Sequence, residues 1–254
     1  MDISCVLLAD EIQRAFGFRL LPIGFHYAAE RPAKSIGFRG ESGCIVPFIL
    51  ASGKGATVAL RSGECGWPCA AFHLGFQDEV FPGIEGFLSN DPPPGRECER
   101  FLRNSDTAGR YLHSMRSIER ARGWAVFRPL REFTQQLQPE IVIFFAAADQ
   151  ISALVQLLHF DFPVETNRVL TRFGSACASL VTQPLALARS GENAAIWGCH
   201  DIAARRRLPD DLMSLSMPFT LVQELGRDAG ESLLSTRNWA ALSQRNLKGV
   251  SDHE

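Results

Sequence analysis

The run Ile141-Val142-Ile143-Phe144-Phe145 constrains the fold more than any other stretch of the chain. Consecutive apolar residues without polar alternation describe a strand buried on both faces, not one lining a half-exposed sheet. Asp149 follows closely as a helix cap, and Ile151, Leu154, Val155 and Leu158 continue at helical spacing, so strand passes directly into helix. That order defines an α/β unit, in which loops at the carboxyl end of the strand are favoured places for ligands.

Upstream, Ile3, Val6, Leu7, Ala9, Ile12 and Phe16 recur mainly on one helical face, and Gly17 stops the pattern. Leu20 to Tyr27 reads as a short strand. Cys44 stands before the apolar segment Ile45 to Ala51, which is helical with Pro47 in its first turn. Gly53 and Gly55 end it, and Ala56 to Leu60 forms a buried strand that delivers the chain to Cys65. The turn Cys65-Gly66-Trp67-Pro68-Cys69 then runs into a short apolar helix that ends near Leu74-Gly75.

Residues 77–95 are loop-rich, and Asp91-Pro92-Pro93-Pro94-Gly95 excludes both helix and ladder. Ser105 or Asp106 caps a helix through Ala108, Tyr111, Leu112, Met115 and Ile118. Trp124 to Phe127 is a strand, and Pro129 to Phe133 opens another helix. Beyond the central strand, Cys177 precedes Ala178 to Ala188, Ser190-Gly191 breaks that segment, and the strand Ala194 to Trp197 leads to Cys199. Residues 227–254 carry one amphipathic helix around Leu234, Trp239, Leu242 and Leu247, and then a tail.

The two halves echo one another. Pro22-Ile23-Gly24-Phe25 with Ala28-Ala29-Glu30 resembles Ile141-Val142-Ile143-Phe144 with Ala147-Ala148-Asp149. Cys44, Pro47 to Ala51, Ser52-Gly53 and the strand from Ala56 match Cys177, Pro184 to Ala188, Ser190-Gly191 and the strand from Ala194. Cys44 lies 21 residues before Cys65, and Cys177 lies 22 before Cys199. Val126 to Leu130 resembles Leu215 to Phe219. The expectation is one α/β domain over residues 1–226, made of two degenerate repeats, 18–138 and 139–226, about a pseudo-twofold, with mixed sheets and covering helices. Equivalent loops would then bring Cys44 and Cys65 to face Cys177 and Cys199.

The chain has 254 residues, 46% hydrophobic and 21% charged, which suits a packed globular protein and excludes a disordered one. A net charge of −2 gives no basic field to draw in nucleic acid. The arginines at 116, 120, 122, 128 and 131, and the triplet Arg205-Arg206-Arg207, read as solvated faces or carboxylate partners. No apolar run reaches the ~20 residues of a membrane span. Met1-Asp2-Ile3-Ser4-Cys5 lacks the basic start of an export signal, so a cytoplasmic protein is expected. Seven cysteines, an odd number, in a reducing compartment point to ligands, reactive thiols or buried thiols, not to a disulfide framework.

Four thiolates suit a cubane cluster or tetrahedral zinc. Cys44, Cys65, Cys69 and Cys177 make four, with Cys199 the alternative to Cys69. A [4Fe–4S] cluster at the junction of the halves is the first reading, as a redox centre, an anaerobic iron–sulfur enzyme such as an oxidoreductase, or a substrate-binding site. Zinc, dithiol chemistry and plain packing stay open, because Cys-x3-Cys matches neither ribbon nor ferredoxin spacing. Cys5 and Cys98 are bystanders. His73, one turn after Cys69, reads first as a structural imidazole, and His200 beside Cys199 is treated alike. Arg39, Arg172 and Arg205 flank the cysteine segments and suit an anion. Dinucleotide, P-loop and serine-hydrolase motifs are absent.

The cysteine segments resemble those of a bacterial and archaeal family, domain of unknown function 169, over residues 1–226. Cys44 after its polar loop, the turn from Cys65 to Leu74-Gly75, Cys177 with Pro184, Cys199 with Arg205, and Pro218-Phe219 carry the likeness. The presence of both Cys65 and Cys69 departs from the family's single cysteine before Leu74-Gly75. The resemblance implies a cytoplasmic α/β protein with grouped cysteines and supplies no reaction. Expected partners are a small molecule or an electron-transfer protein, without nucleic acid or membrane, and a homodimer is compatible. The alternative to the cluster is a small-molecule binding or sensory module whose cleft lies between the halves and whose cysteines only pack.

Overall fold

A computed structural model describes residues 4–37, 44–64, 68–92, 94–95, 97–115, 123–162 and 165–251. In chain order the elements are α1 (Cys5–Phe16), β1 (Ile23–Ala28), α2 (Val46–Gly53), β2 (Val58–Arg61), α3 (Pro68–His73), α4 (Ile84–Leu88), α5 (Ser105–Ser114), β3 (Trp124–Pro129), β4 (Ile141–Ala146), α6 (Ala148–Leu158), β5 (Val169–Leu170), α7 (Gln183–Ser190), β6 (Ala195–Gly198), α8 (Ile202–Arg205), β7 (Met213–Pro218), α9 (Phe219–Asp228) and α10 (Arg237–Ser251). A π-helical turn, Ala178–Thr182, feeds directly into α7. The fold is α/β, a mixed sheet covered by helices.

All seven strands form one sheet in the order β2-β3-β1-β4-β7-β6-β5. β1 and β4 pair antiparallel at its centre, with Ile23 opposite Ile143. Outward from that pair the order is β1-β3-β2 on one side and β4-β7-β6 on the other, every neighbour antiparallel. Only the short β5 joins its neighbour in parallel among the named strands. β4 is buried along its whole length, as its unbroken apolar run requires.

Side-chain alternation in β4 divides the core in two. Ile141, Ile143 and Phe145 join Ile23 and Phe25 of β1 and pack under α2, α3, the π-helical turn and α7. Val142, Phe144 and Ala146 point the other way, into a core closed by α1, α6, α9 and Trp239 of α10.

Several boundaries differ from the sequence reading for local reasons. α1 starts after Ser4, whose side chain accepts from the Leu7 N–H, and it buries Cys5, Leu8, Ala9, Ile12 and Phe16 while Val6 and Leu7 stay exposed. The buried stripe is thus rotated from the expected one, and Cys5 belongs to the core. Pro129 opens only a 3-10 turn, Leu130–Glu132, because Phe133 returns to extended backbone over Gly24. A Cβ at Gly24 would lie 2.3 Å from the Phe133 ring, so that ring fixes glycine in the strand. Asn104 caps α5, in place of Ser105 or Asp106. α6 is capped by the Gln150 side chain, which accepts from the Ala147 N–H, and Asp149 sits in its first turn.

Candidate functional site

Above the β1–β4 centre, the helices on the first side of the sheet are short and interrupted. α3 has six residues, and the five-residue π-helical turn displaces the start of α7. Helices this short leave a gap, and the loops around them line a cleft of about 350 Å3. One part of the wall comes from Cys44, Cys69, Phe87, Leu88, Glu99 and Phe101. The rest comes from Ser175, Ala176, Cys177, Asp201, Ala203, Ala204, Arg206 and Arg207. A smaller apolar cavity of about 30 Å3 adjoins it and shares Cys69, Leu88, Phe101 and Ser175.

Cys69 is the second residue of α3 and is half-buried at the boundary of these two spaces. The neighbouring Cys177 thiol holds Cys69 well below the usual thiol range. Burial opposes the effect, while His73 one turn along adds to it. Cys177 is pushed well up, first by Cys69 beside it and then by burial. The two sulfurs therefore titrate as a pair.

A buried polar network stands behind Cys69. His73 is almost fully buried, with Nδ1 2.7 Å from Thr182 Oγ1 and Nε2 3.0 Å from Ser175 Oγ. Thr182 Oγ1 lies 3.3 Å from the His73 carbonyl and donates to it. Its oxygen is then free to accept from Nδ1–H, an assignment made from the network. The Ser175 N–H in turn donates to the Tyr111 hydroxyl at 3.0 Å. Burial pushes that phenol up to about 12. The π-helical turn is what aims Thr182 at His73, a use of extra helical residues that recurs at functional sites.

The rim carries the charges. Asp201 caps α8 and accepts from the N–H groups of Ala203, Ala204 and Ala176, so its carboxylate is engaged by the backbone. Burial raises Glu99, the nearby Asp201 raises it further, and Arg206 opposes them. Among the described residues neither Arg206 nor Arg207 forms a salt bridge. Arg205 is different, since it donates to the carbonyls of Asp210 and Leu212 and holds the loop before β7.

The iron–sulfur reading is overturned. Among the described residues no group of three or more histidine, cysteine, aspartate or glutamate side chains is placed to hold a metal ion. The same finding removes the [4Fe–4S] cofactor, the zinc alternative and the metal-binding role assigned to Cys44, Cys69 and Cys177. Cys65 lies outside the described residues, as does Arg39. Cys199 cannot serve as the alternative fourth ligand, because it is fully buried away from the cleft lining in a left-handed turn with φ 64°. Burial drives its thiol up to about 12, and its N–H donates to Ser179 Oγ at 3.1 Å.

Cys44, Cys69 and Cys177 line one cleft, and sequence reasoning missed most of its other residues. Phe87, Leu88, Glu99 and Phe101 come from segments without periodicity. Arg206 and Arg207, which the sequence reading takes as solvated faces or carboxylate partners, line the cleft, while Arg205, their flagged neighbour, is structural. Arg172 is exposed and outside the cleft lining. Asp201 after Cys199-His200 was the available signal, as an N-cap ahead of a basic triplet.

Fold and cleft together define an α/β sheet protein with a thiol-lined, arginine-rimmed pocket. The chain belongs to the family of domain of unknown function 169, described as Uncharacterised ArCR, whose model matches residues 11–227. No curated protein and no solved structure matches the chain. Among the described residues no helix is long and apolar enough to cross a membrane.

Proposed function

We propose that the chain is a small-molecule binding or sensory module whose cleft receives an anionic ligand with an apolar portion. The observation that carries this reading is the cleft lining itself. Arg206 and Arg207 stand without salt bridges among the described residues and share the cleft lining with the apolar Phe87, Leu88 and Phe101. Guanidinium groups take carboxylates and phosphates in paired hydrogen bonds, and the enclosed wall strengthens that attraction by excluding water.

The same reading includes a tandem duplication about a pseudo-twofold between β1 and β4. Matching strand order on either side of that pair supports it, as do the sequence echoes and the positions of Cys44 before α2 and Cys177 before the π-helical turn. The cleft then lies at the junction of residues 18–138 and 139–226, each of which supplies part of its lining.

The test is calorimetric titration of the protein with aliphatic carboxylates, aromatic carboxylates and sugar phosphates. At least one class binds, and the paired change Arg206→Gln and Arg207→Gln weakens it by roughly 10-fold or more. Binding that is indifferent to both changes, or absent for every class, ends the proposal.

A further inference from the structure

The anion-binding reading does not use the sulfurs of Cys69 and Cys177, which line the same cleft. Cys69 is half-buried and opens to the cleft, with His73 on the next turn of the same helix. Cys44 lines the same space, but burial raises its thiol, which leaves it protonated and inert at neutral pH. Cys44 and Cys69 therefore differ in chemistry, because burial outweighs the Val46 N–H at Cys44 whereas Cys177 and His73 outweigh burial at Cys69.

We propose that Cys69 is the attacking thiolate of a thiol–disulfide exchange site, and that its substrate is a low-molecular-weight disulfide bearing carboxylates. The Cys69 sulfur attacks one sulfur of the R–S–S–R substrate along the S–S axis. A Cys69–S–S–R bond forms, the substrate S–S bond breaks, and R–S⁻ leaves with the electron pair of the broken bond. Cys69 is oxidised by the step and the departing sulfur is reduced, so no further oxidant is needed. The departing thiolate takes a proton from solvent when its own pKa requires it. Cys177 is a positioning residue that keeps the negative charge on Cys69, and Arg206 and Arg207 meet the substrate carboxylates. That last part rests on the anion-binding reading; the exchange chemistry does not.

A thiol near pKa 8.5 is only about 0.3% ionised at pH 6, so ordinary cysteines react slowly there. Lowering a thiol's pKa reduces its intrinsic nucleophilicity with a Brønsted slope of about 0.4–0.5, less than the gain in thiolate fraction, so a net acceleration remains at that pH.

The full chain is treated with the dianionic dithiobis(nitrobenzoate) at pH 6, release of the coloured thiolate is followed, and the adduct is located by peptide mass mapping. Cys69 takes the label roughly 10-fold faster than Cys44 or Cys98. Cys69→Ser removes the fast phase. Cys177→Ala slows it at pH 6 and moves the midpoint of its pH profile upward, with little change above pH 9, a response that mere packing would not produce. Mapping needs no variant, so a misfolded mutant leaves the wild-type result standing. Fast label on Cys98 or Cys44, or a fast phase that survives Cys69→Ser, overturns the exchange site. An unchanged rate at Cys69 towards the dianionic reagent in the Arg206→Gln, Arg207→Gln double variant overturns the carboxylate preference, and with it the role given to Arg206 and Arg207, while leaving the exchange chemistry intact.

Discussion

The two sides of the sheet are built from alternate residues of the same strands, yet only one is closed. Beneath Val142, Phe144 and Ala146 of β4, α1, α6 and α9 are full-length amphipathic helices, and Trp239 seals their edge by donating to the Ala15 carbonyl at 2.8 Å. Above Ile141, Ile143 and Phe145 the covering helices are shorter, and a π-helical turn interrupts them. Long helices with continuous stripes leave no room for solvent. Short helices held by polar networks leave a cleft, and the network that replaces apolar contact there, from Thr182 through His73 to Ser175, sets the chemistry of the site.

The closed side should therefore respond to truncation in stability alone. Phe144 is almost fully buried, with its ring 5.5 Å from that of Phe18. Phe144→Ala is expected to lower unfolding free energy by about 3–5 kcal/mol in urea titrations. The rate of Cys69 labelling per folded molecule should stay unchanged. A loss of labelling in protein that remains folded would break the separation of the two sides.

His26 gives the closed side a pH dependence of its own. It is buried against Phe133, and Arg128 donates to its Nε2 at 3.3 Å. Burial lowers its pKa to about 4, and the Arg128 charge acts in the same direction. The unfolded chain, with an ordinary histidine near 6.5, therefore binds the proton first as pH falls. Stability contributed by neutral His26 is whole above pH 6.5, declines below it, and by about pH 4 is reduced by about 3 kcal/mol. Urea midpoints between pH 7 and pH 4 should fall accordingly, and less steeply in His26→Gln, which keeps an acceptor for Arg128. Identical slopes in the two proteins would remove His26 from the account.

These contrasts also explain what the sequence could disclose. β4 was legible because an unbroken apolar run admits few alternatives, and α6 and the pairing of Cys44 with α2 followed from periodicity. The echo between halves was legible as residues, although strand order needs hydrogen-bond partners that no local pattern names. The buried face of α1 was misread, with Val6 and Leu7 on it and Leu8 left off, because an apolar stripe wider than the contact leaves its rotation open until a partner is docked. The cleft was harder still. Thiol spacing is the same for a metal ligand, a reactive thiol and a packed one, and the difference lies in which atom faces each sulfur. Arg205 and Arg207 are chemically alike in sequence, yet the first is held by loop carbonyls and the second faces the cleft.

On the open side, Thr182→Val tests whether the polar network supports stability as well as reactivity. Removing the hydroxyl leaves the buried His73 Nδ1–H without its acceptor, for an expected loss of about 1–3 kcal/mol. The same change should shift the pH midpoint of Cys69 labelling, since His73 is one of the groups that lower it. A loss of stability with an unmoved midpoint would confine His73 to packing.

The smallest effect on stability is expected at the rim, and it separates binding from folding most cleanly. Arg206 is exposed, Arg207 is half-buried, and neither is in a salt bridge among the described residues. Substitution of both by glutamine should therefore change unfolding free energy by no more than about 0.5 kcal/mol. Losing two guanidiniums opposite an anion should still weaken binding by roughly 10-fold, equivalent to about 1.4 kcal/mol. Glu99 supplies an internal control, because Arg206 is the group that holds its pKa down against burial and Asp201. In the double variant the Glu99 carboxyl should titrate higher, as followed by NMR through the acid range. A lower titration, or none of the expected rise, would mean that Arg206 points away from the cleft, and the rim would lose its claim on the ligand.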